Sequence, residues 1–146
     1  MATNTTFPAT KAYLRDELRK IKALRGVQVE YGYPGETIEK QCIWLAGVDG
    51  SLSVPTMMAG RHSRDEDYAV TILIDVLMQA GTVEEAERKA CDFFDAIDNF
   101  IAEDLTLDRL VQAAMIADFN VQTVPSSQGG AASRIAFTLR VSNRLN

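Results

Sequence analysis

A chain of 146 residues has the length of one domain, enough to bury a core without disulfide or metal staples. With 47% hydrophobic and 24% charged residues it has the ordinary globular mix, which excludes wholesale disorder. A formal net charge of -5 argues against nucleic-acid binding over the surface as a whole, because phosphate affinity comes mainly from Lys and Arg.

Residues 1–9 are small and polar and read as a loose leader. They show no basic start and no apolar stretch of signal-peptide type. No apolar run approaches the roughly 18 residues of a membrane span. Helical spacing begins at Thr10 and continues to Arg25 through Leu14, Leu18 and Ile21, with Leu24 widening the stripe. Thr10 or Thr6 is the candidate cap, and Gly26 the stop. Val27, Val29 and Tyr31 then alternate with polar residues as a short strand, broken by Gly32-Tyr33-Pro34-Gly35. Lys40 to Val48 is a strand apolar on both faces, so it is either central or committed to a second protein surface.

Asp49-Gly50 reads as a tight turn. Ser51–Ala59 is a candidate strand returning across it. The rest of the stretch to Asp67 is expected to be a long loop. Tyr68 to Met78 alternates as a strand. Thr82 and Glu85 form a capping box for a helix running to about Ala102, with Ala86, Ala90, Phe93, Ile97 and Ile101 as its core stripe. Leu105 to Gln112 reads equally as a helical turn or a connector. Met115 to Val124 is a strand, Pro125 to Ser133 a hairpin loop with Gly129-Gly130, and Ile135 to Val141 the last strand. The expected fold is α+β: a mostly antiparallel sheet of four to six strands, with an N-terminal helix and a central amphipathic helix packed on it.

The residues of chemistry do not converge. His62, the single histidine, stands in the expected loop beside Ser63 and Asp65, without the positioned partners a nucleophilic triad needs. Asp65, Glu66 and Asp67 lack the pattern of a calcium loop and read as a solvated acidic turn. Gly129-Gly130 precedes a strand and is followed by no Lys-Ser or Lys-Thr, so it is no phosphate loop. Cys42 and Cys91 read as reduced core thiols, a redox pair being the lesser reading. No catalytic, cofactor or metal residue is expected.

Charge is unevenly placed. Residues 8–26 hold six basic side chains against Asp16 and Glu17. Residues 131–146 hold Arg134, Arg140 and Arg144 with no acid. The segment Thr82–Asp104 carries eight acids offset by Arg88 and Lys89, as a solvated face, an interface or a lumen lining. A molecule with basic ends and an acidic middle helix suits head-to-tail pairing of copies, which closes into a ring when the rotation permits. Met57 and Met58 beside Arg61 in the expected loop, and Ser126, Ser127, Gln128, Gly129 and Gly130 in the hairpin loop, are the candidate contact residues.

The layout resembles the tail-terminator, or tail-completion, proteins of long non-contractile-tailed phages. The resemblance lies in a leading helix, the strand Val27-Gln28-Val29-Glu30-Tyr31-Gly32-Tyr33-Pro34, and the strand Glu39-Lys40-Gln41-Cys42-Ile43-Trp44-Leu45-Ala46-Gly47. It continues through Arg64-Asp65-Glu66-Asp67-Tyr68, the strand Ala69–Leu77, the helix with Glu85-Ala86-Glu87-Arg88 and the closing strand Arg134–Arg144. It implies a structural virion protein, not an enzyme, assembled in the host cytoplasm. In that reading a ring of six copies caps the tail tube, binds the tail-tube protein and a neck or head-completion protein, and passes DNA through its lumen without specific binding or membrane contact. A neck or head-closure connector is the related reading. A small-ligand-binding domain, with Trp44, Tyr31, Tyr33 and Tyr68 lining a pocket, is the rival from another class.

Overall fold

The computed structural model describes residues 4–35, 40–58, 61–127 and 129–145, without the side chains of 55–58 and 61–62. Helix α1 spans Phe7–Leu18 and a 3-10 turn spans Lys22–Leu24. Strand β1 covers Gln28–Glu30, β2 Gln41–Met58, β3 Arg61–Met78, helix α2 Val83–Glu103, β4 Ala113–Pro125 and β5 Ala131–Leu145. The five strands form one sheet in the order β1-β2-β3-β5-β4. β1 runs parallel to β2, and every other pair is antiparallel. This is the expected α+β architecture, with the N-terminal and central helices on the sheet.

Both helices lie on one face. Alternation along β3 places Val70, Ile72, Ile74 and Val76 inward, and β5 adds Ile135, Phe137, Leu139 and Val141. Against them pack Leu14 and Leu18 of α1 and the α2 stripe Ala86, Ala90, Phe93, Ile97 and Ile101. Thr82 caps α2 as its spacing predicts, its hydroxyl accepting from the Glu85 amide at 3.1 Å. α1 starts at Phe7, inside the stretch expected as a leader, with Pro8 in its first turn, where a missing N–H costs nothing. It ends at Leu18, and Ile21 leaves helical geometry with ψ 126°.

The largest correction concerns residues 49–67. Asp49-Gly50 is no turn, and the long loop does not exist. β2 passes straight through Asp49 and Gly50 to Met58, and β3 returns from Arg61, with Gly50 opposite Tyr68 and Met58 opposite Arg61. Gly50 serves close approach: a Cβ there would lie 2.6 Å from the Tyr68 Cβ and 2.8 Å from the Asp67 carbonyl oxygen. Register shifts between Leu45 and Val48 and between Ser53 and Thr56 break the ladder locally, and Pro55 falls within the second.

The acidic run is likewise in a strand, not in a solvated turn. Asp65 pairs with Arg144 at 3.1 Å, whereas Glu66 is 2% exposed on the helix face. There Glu66 accepts hydrogen bonds from the Thr6 amide at 3.1 Å, the Thr6 hydroxyl at 3.0 Å and the Thr5 hydroxyl. The Tyr68 hydroxyl joins Thr6 at 3.0 Å and Thr10 at 2.7 Å. These bonds tie the start of α1 to the middle of the long hairpin.

The open segment after α2 is a left-handed turn. Leu107, Asp108 and Arg109 have φ of 50°, 58° and 65°. The Asp104 carboxylate organises it, accepting from the Thr106 hydroxyl at 2.6 Å, the Thr106 amide at 3.0 Å and the Asp108 amide at 2.9 Å. Buried Leu107 anchors it in the core.

Candidate assembly surfaces

The sheet face away from the helices carries ion pairs between strands. Asp75 of β3 accepts from Arg134 of β5 at 2.6 and 3.1 Å and from the Trp44 indole N–H of β2 at 3.1 Å. Tyr33 packs edge-on against Trp44, ring centres 5.3 Å apart. Arg144 pairs with Asp65 at 3.1 Å, and Arg140 lies 3.7 Å from Asp118. The C-terminal arginines, basic in the sequence, each meet an acid brought in by β3 or β4. They do not form a positive end.

The helices carry most of the remaining charge. Lys11, Arg15 and Arg19 are spaced four apart and form one ridge of α1 and its cap, over β1 and the start of β2. Lys11 donates to the Ala46 carbonyl at 3.0 Å and stands 4.2 Å from the Tyr31 ring centre, and burial lowers its pKa. Arg19 donates to the Val29 carbonyl at 2.7 and 3.0 Å. On α2, Phe94 touches Phe119 of β4 and so marks that helix's outer side. Glu87, Cys91 and Asp98 lie seven and three residues before it and four after, on the same side. The β4 side of α2 is therefore acidic, whereas the basic ridge of α1 is answered by Asp16, 2.9 Å from Arg15, and by Glu30 of β1, 3.6 Å from Arg19.

Both flanks end in open strand edges. β4 is the last strand of the order, and among the described residues its outer edge has no partner strand. Met115, Phe119, Val121 and Val124 are exposed there by 56%, 67%, 38% and 58%. A register shift between Ile116 and Phe119 interrupts the alternation that makes this segment read as a strand. On the other flank β1 covers only Cys42 to Trp44 of β2. Beyond Trp44 the outer edge of β2 has no partner strand among the described residues; Lys11 takes the Ala46 carbonyl, and Leu52 and Val54 are half exposed.

The candidate contact residues fall into two groups at opposite ends of β3. Met57 and Met58 end β2 and Arg61 begins β3, at the tip of the long hairpin. Ser126, Ser127, Gly129 and Gly130 join β4 to β5 beside Met78, while Gln128 lies outside the described residues. The Ser126 amide donates to the Gly130 carbonyl at 3.0 Å. Gly130 has φ 78° and lies so close to the Met78 carbonyl that a Cβ would overlap it. The two groups are separated by roughly 55 Å of extended chain, so no single surface unites them. The exposed apolar row on β4 went unnoticed in the sequence because edge position depends on strand order.

The four aromatic residues of the small-ligand reading occupy three environments: Trp44 with Tyr33, Tyr31 beneath Lys11, and Tyr68 among Thr6, Thr10 and Phe7. Cys42 is 1% exposed, and burial pushes its thiol up to about 11. Cys91, expected in the core, is exposed on α2, with its pKa raised by partial burial and by Asp95. Among the described residues no three His, Cys, Asp or Glu side chains are grouped to hold a metal ion, and no helix is long and apolar enough to cross a membrane. No protein-family model matches the chain, and no curated protein matches it.

Proposed function

We propose that this chain is a structural subunit of a phage virion, one copy of a ring that ends the tail tube and joins tail to head. The resemblance in layout supplies the class. The observation that carries the reading is the apolar outer edge of β4, whose side chains are exposed in the isolated chain. An edge strand with exposed apolar residues is a template for pairing with another protein. The long β2–β3 hairpin is a second projecting element, suited to reach a neighbouring ring.

The test is direct. Gold-labelled chain added to tail tubes of the phage that encodes it is imaged by negative stain. Label confined to one end of each tube, as a single ring, supports the proposal. Label along the tube wall, or none on tubes and all on emptied heads, overturns the terminator role, and the second pattern favours the neck connector.

A further inference from the structure

We infer that the outer edge of β4 takes an added strand from a different protein, one whose residues alternate basic and apolar, with the basic side chains lying under α2. This rests on the virion reading and names what the partner offers to that edge.

The two faces of the edge differ. Cross-strand partners share a face, so Phe119, opposite Phe137, and Val121, opposite Ile135, lie on the helix side. Met115, opposite Arg140, and Val124, opposite Ala132, lie on the other side. A strand hydrogen-bonded to β4 alternates its own side chains between these faces. Away from the helices it meets exposed Met115 and Val124, and the arginines behind them are answered by Asp75 and Asp118. That side therefore suits apolar residues.

On the helix side the added strand runs beneath the acidic flank of α2. The Leu105 carbonyl, just past the end of α2, accepts from the amide of Ala114 at the start of β4 at 2.7 Å, so helix and strand run antiparallel. Glu87 thus stands toward Val121, and Asp98 toward the start of β4, on either side of the Phe94–Phe119 contact. Both acids are exposed and neither has an ion pair among the described residues, Arg88 being taken by Glu84 at 3.3 Å. A lysine or arginine on the added strand lays its methylene stem over Phe119 and Val121 and carries its charge to these carboxylates.

A second copy does not supply this strand. Two β4 edges related by a two-fold axis normal to the sheet set Glu87 and Asp98 against their own images, and like charges at an interface repel. Copies side by side bring β4 level with β1, since Val121, Ile135, Ile74, Ile43 and Val29 share one row of the sheet. β1 has three residues, and its Val29 carbonyl is already taken by Arg19. A basic strand from another protein meets neither obstacle.

The test is fluorescence anisotropy of the full chain with a labelled peptide that alternates lysine and valine. One comparison peptide alternates glutamate and valine, and another has the same lysines and valines in two blocks. Amide hydrogen exchange maps the contact. The alternating basic peptide is expected to bind at least about tenfold more tightly than either comparison and to slow exchange along β4. It is expected to bind about tenfold more weakly to the variant carrying Glu87→Gln and Asp98→Asn, with folding checked by circular dichroism. A block peptide that binds equally well overturns the inference, because charge alone then suffices; so do a folded variant with parental affinity, protection away from β4, and no binding at all. If the variant does not fold, the exchange map of the parent decides. Oligomers of the chain alone that Val124→Lys dissolves put a second copy on the edge, which overturns the inference and leaves the ring reading standing. Failure of the ring reading shows instead in the tail-tube images, whatever the peptides do.

Discussion

The Thr6 amide and hydroxyl both reach the carboxylate of Glu66, at 3.1 and 3.0 Å, across 60 positions of sequence. A buried carboxylate needs such donors, and a helix start needs an acceptor for its free amides. Each end satisfies the other, which is why the segment before α1 is ordered and why β3 tolerates an acid at an inward position. Glu66→Ala leaves the Thr6 donors buried without their acceptor. The expected loss is about 2–3 kcal/mol in urea denaturation, with Glu66→Gln, which keeps one acceptor oxygen, losing less. Equal losses for the two variants would show that the carboxylate's acceptors are not what matters.

Gly50 gives a steric test of the long hairpin. With 2.6 Å to the Tyr68 Cβ, a methyl group at position 50 forces the two strands apart. Gly50→Ala is expected to cost about 1–3 kcal/mol, the usual range for overpacking. Gly47, where nothing lies within 4 Å of an added Cβ, serves as the control, and Gly47→Ala should be far milder.

The two thiols should behave differently. In the folded protein an aromatic disulfide reagent at pH 8 is expected to modify Cys91 alone, with Cys42 reacting only after denaturation. The Cys42 thiol ordinarily titrates near 9.0 and in the fold near 11. Its raised value favours the protonated folded state. The sign follows: this contribution is complete below pH 9 and is lost as pH rises toward 11, because only the unfolded chain ionises in that window. Cys42→Ser should flatten that part of the stability profile; an unchanged profile would contradict the assignment.

The left-handed turn predicts a stabilising substitution. Arg109 is exposed and has φ 65°, a conformation that costs L-residues roughly 1–2 kcal/mol and glycine almost nothing. Arg109→Gly is expected to stabilise by about 0.5–1 kcal/mol, after the greater chain entropy of glycine is subtracted. Leu107→Ala, which empties a buried anchor at the same turn, should destabilise by about 2–4 kcal/mol. The Thr106 hydroxyl and the amides of Asp108 and Thr106 hold the Asp104 carboxyl below its usual range, so what it adds to this turn is present at neutral pH and lost on acidification. Melting temperatures of the three proteins across pH 3 to 7 check all of this together.

Local information determined a good deal. The cap and stripe of α2, the inward alternation of β3 from Tyr68 and of β5, and the hairpin at Gly129-Gly130 follow from spacing and turn chemistry, because each rests on neighbours three, four or two residues away. What only the tertiary structure decided were the matters set by partners far along the chain. Arg61 to Asp67 is strand because β2 and the end of β5 supply its hydrogen bonds, although its side chains carry no apolar alternation. Gly50 reads as a turn until Tyr68 is seen opposite it. Arg134, Arg140 and Arg144 look like a basic tail until Asp75, Asp118 and Asp65 meet them. Met115, Phe119 and Val121 read as one face of a strand, and only the strand order leaves them exposed at the edge. A side chain's spacing fixes which way it points within its own element, but whether anything stands there depends on contacts that no short window of sequence contains.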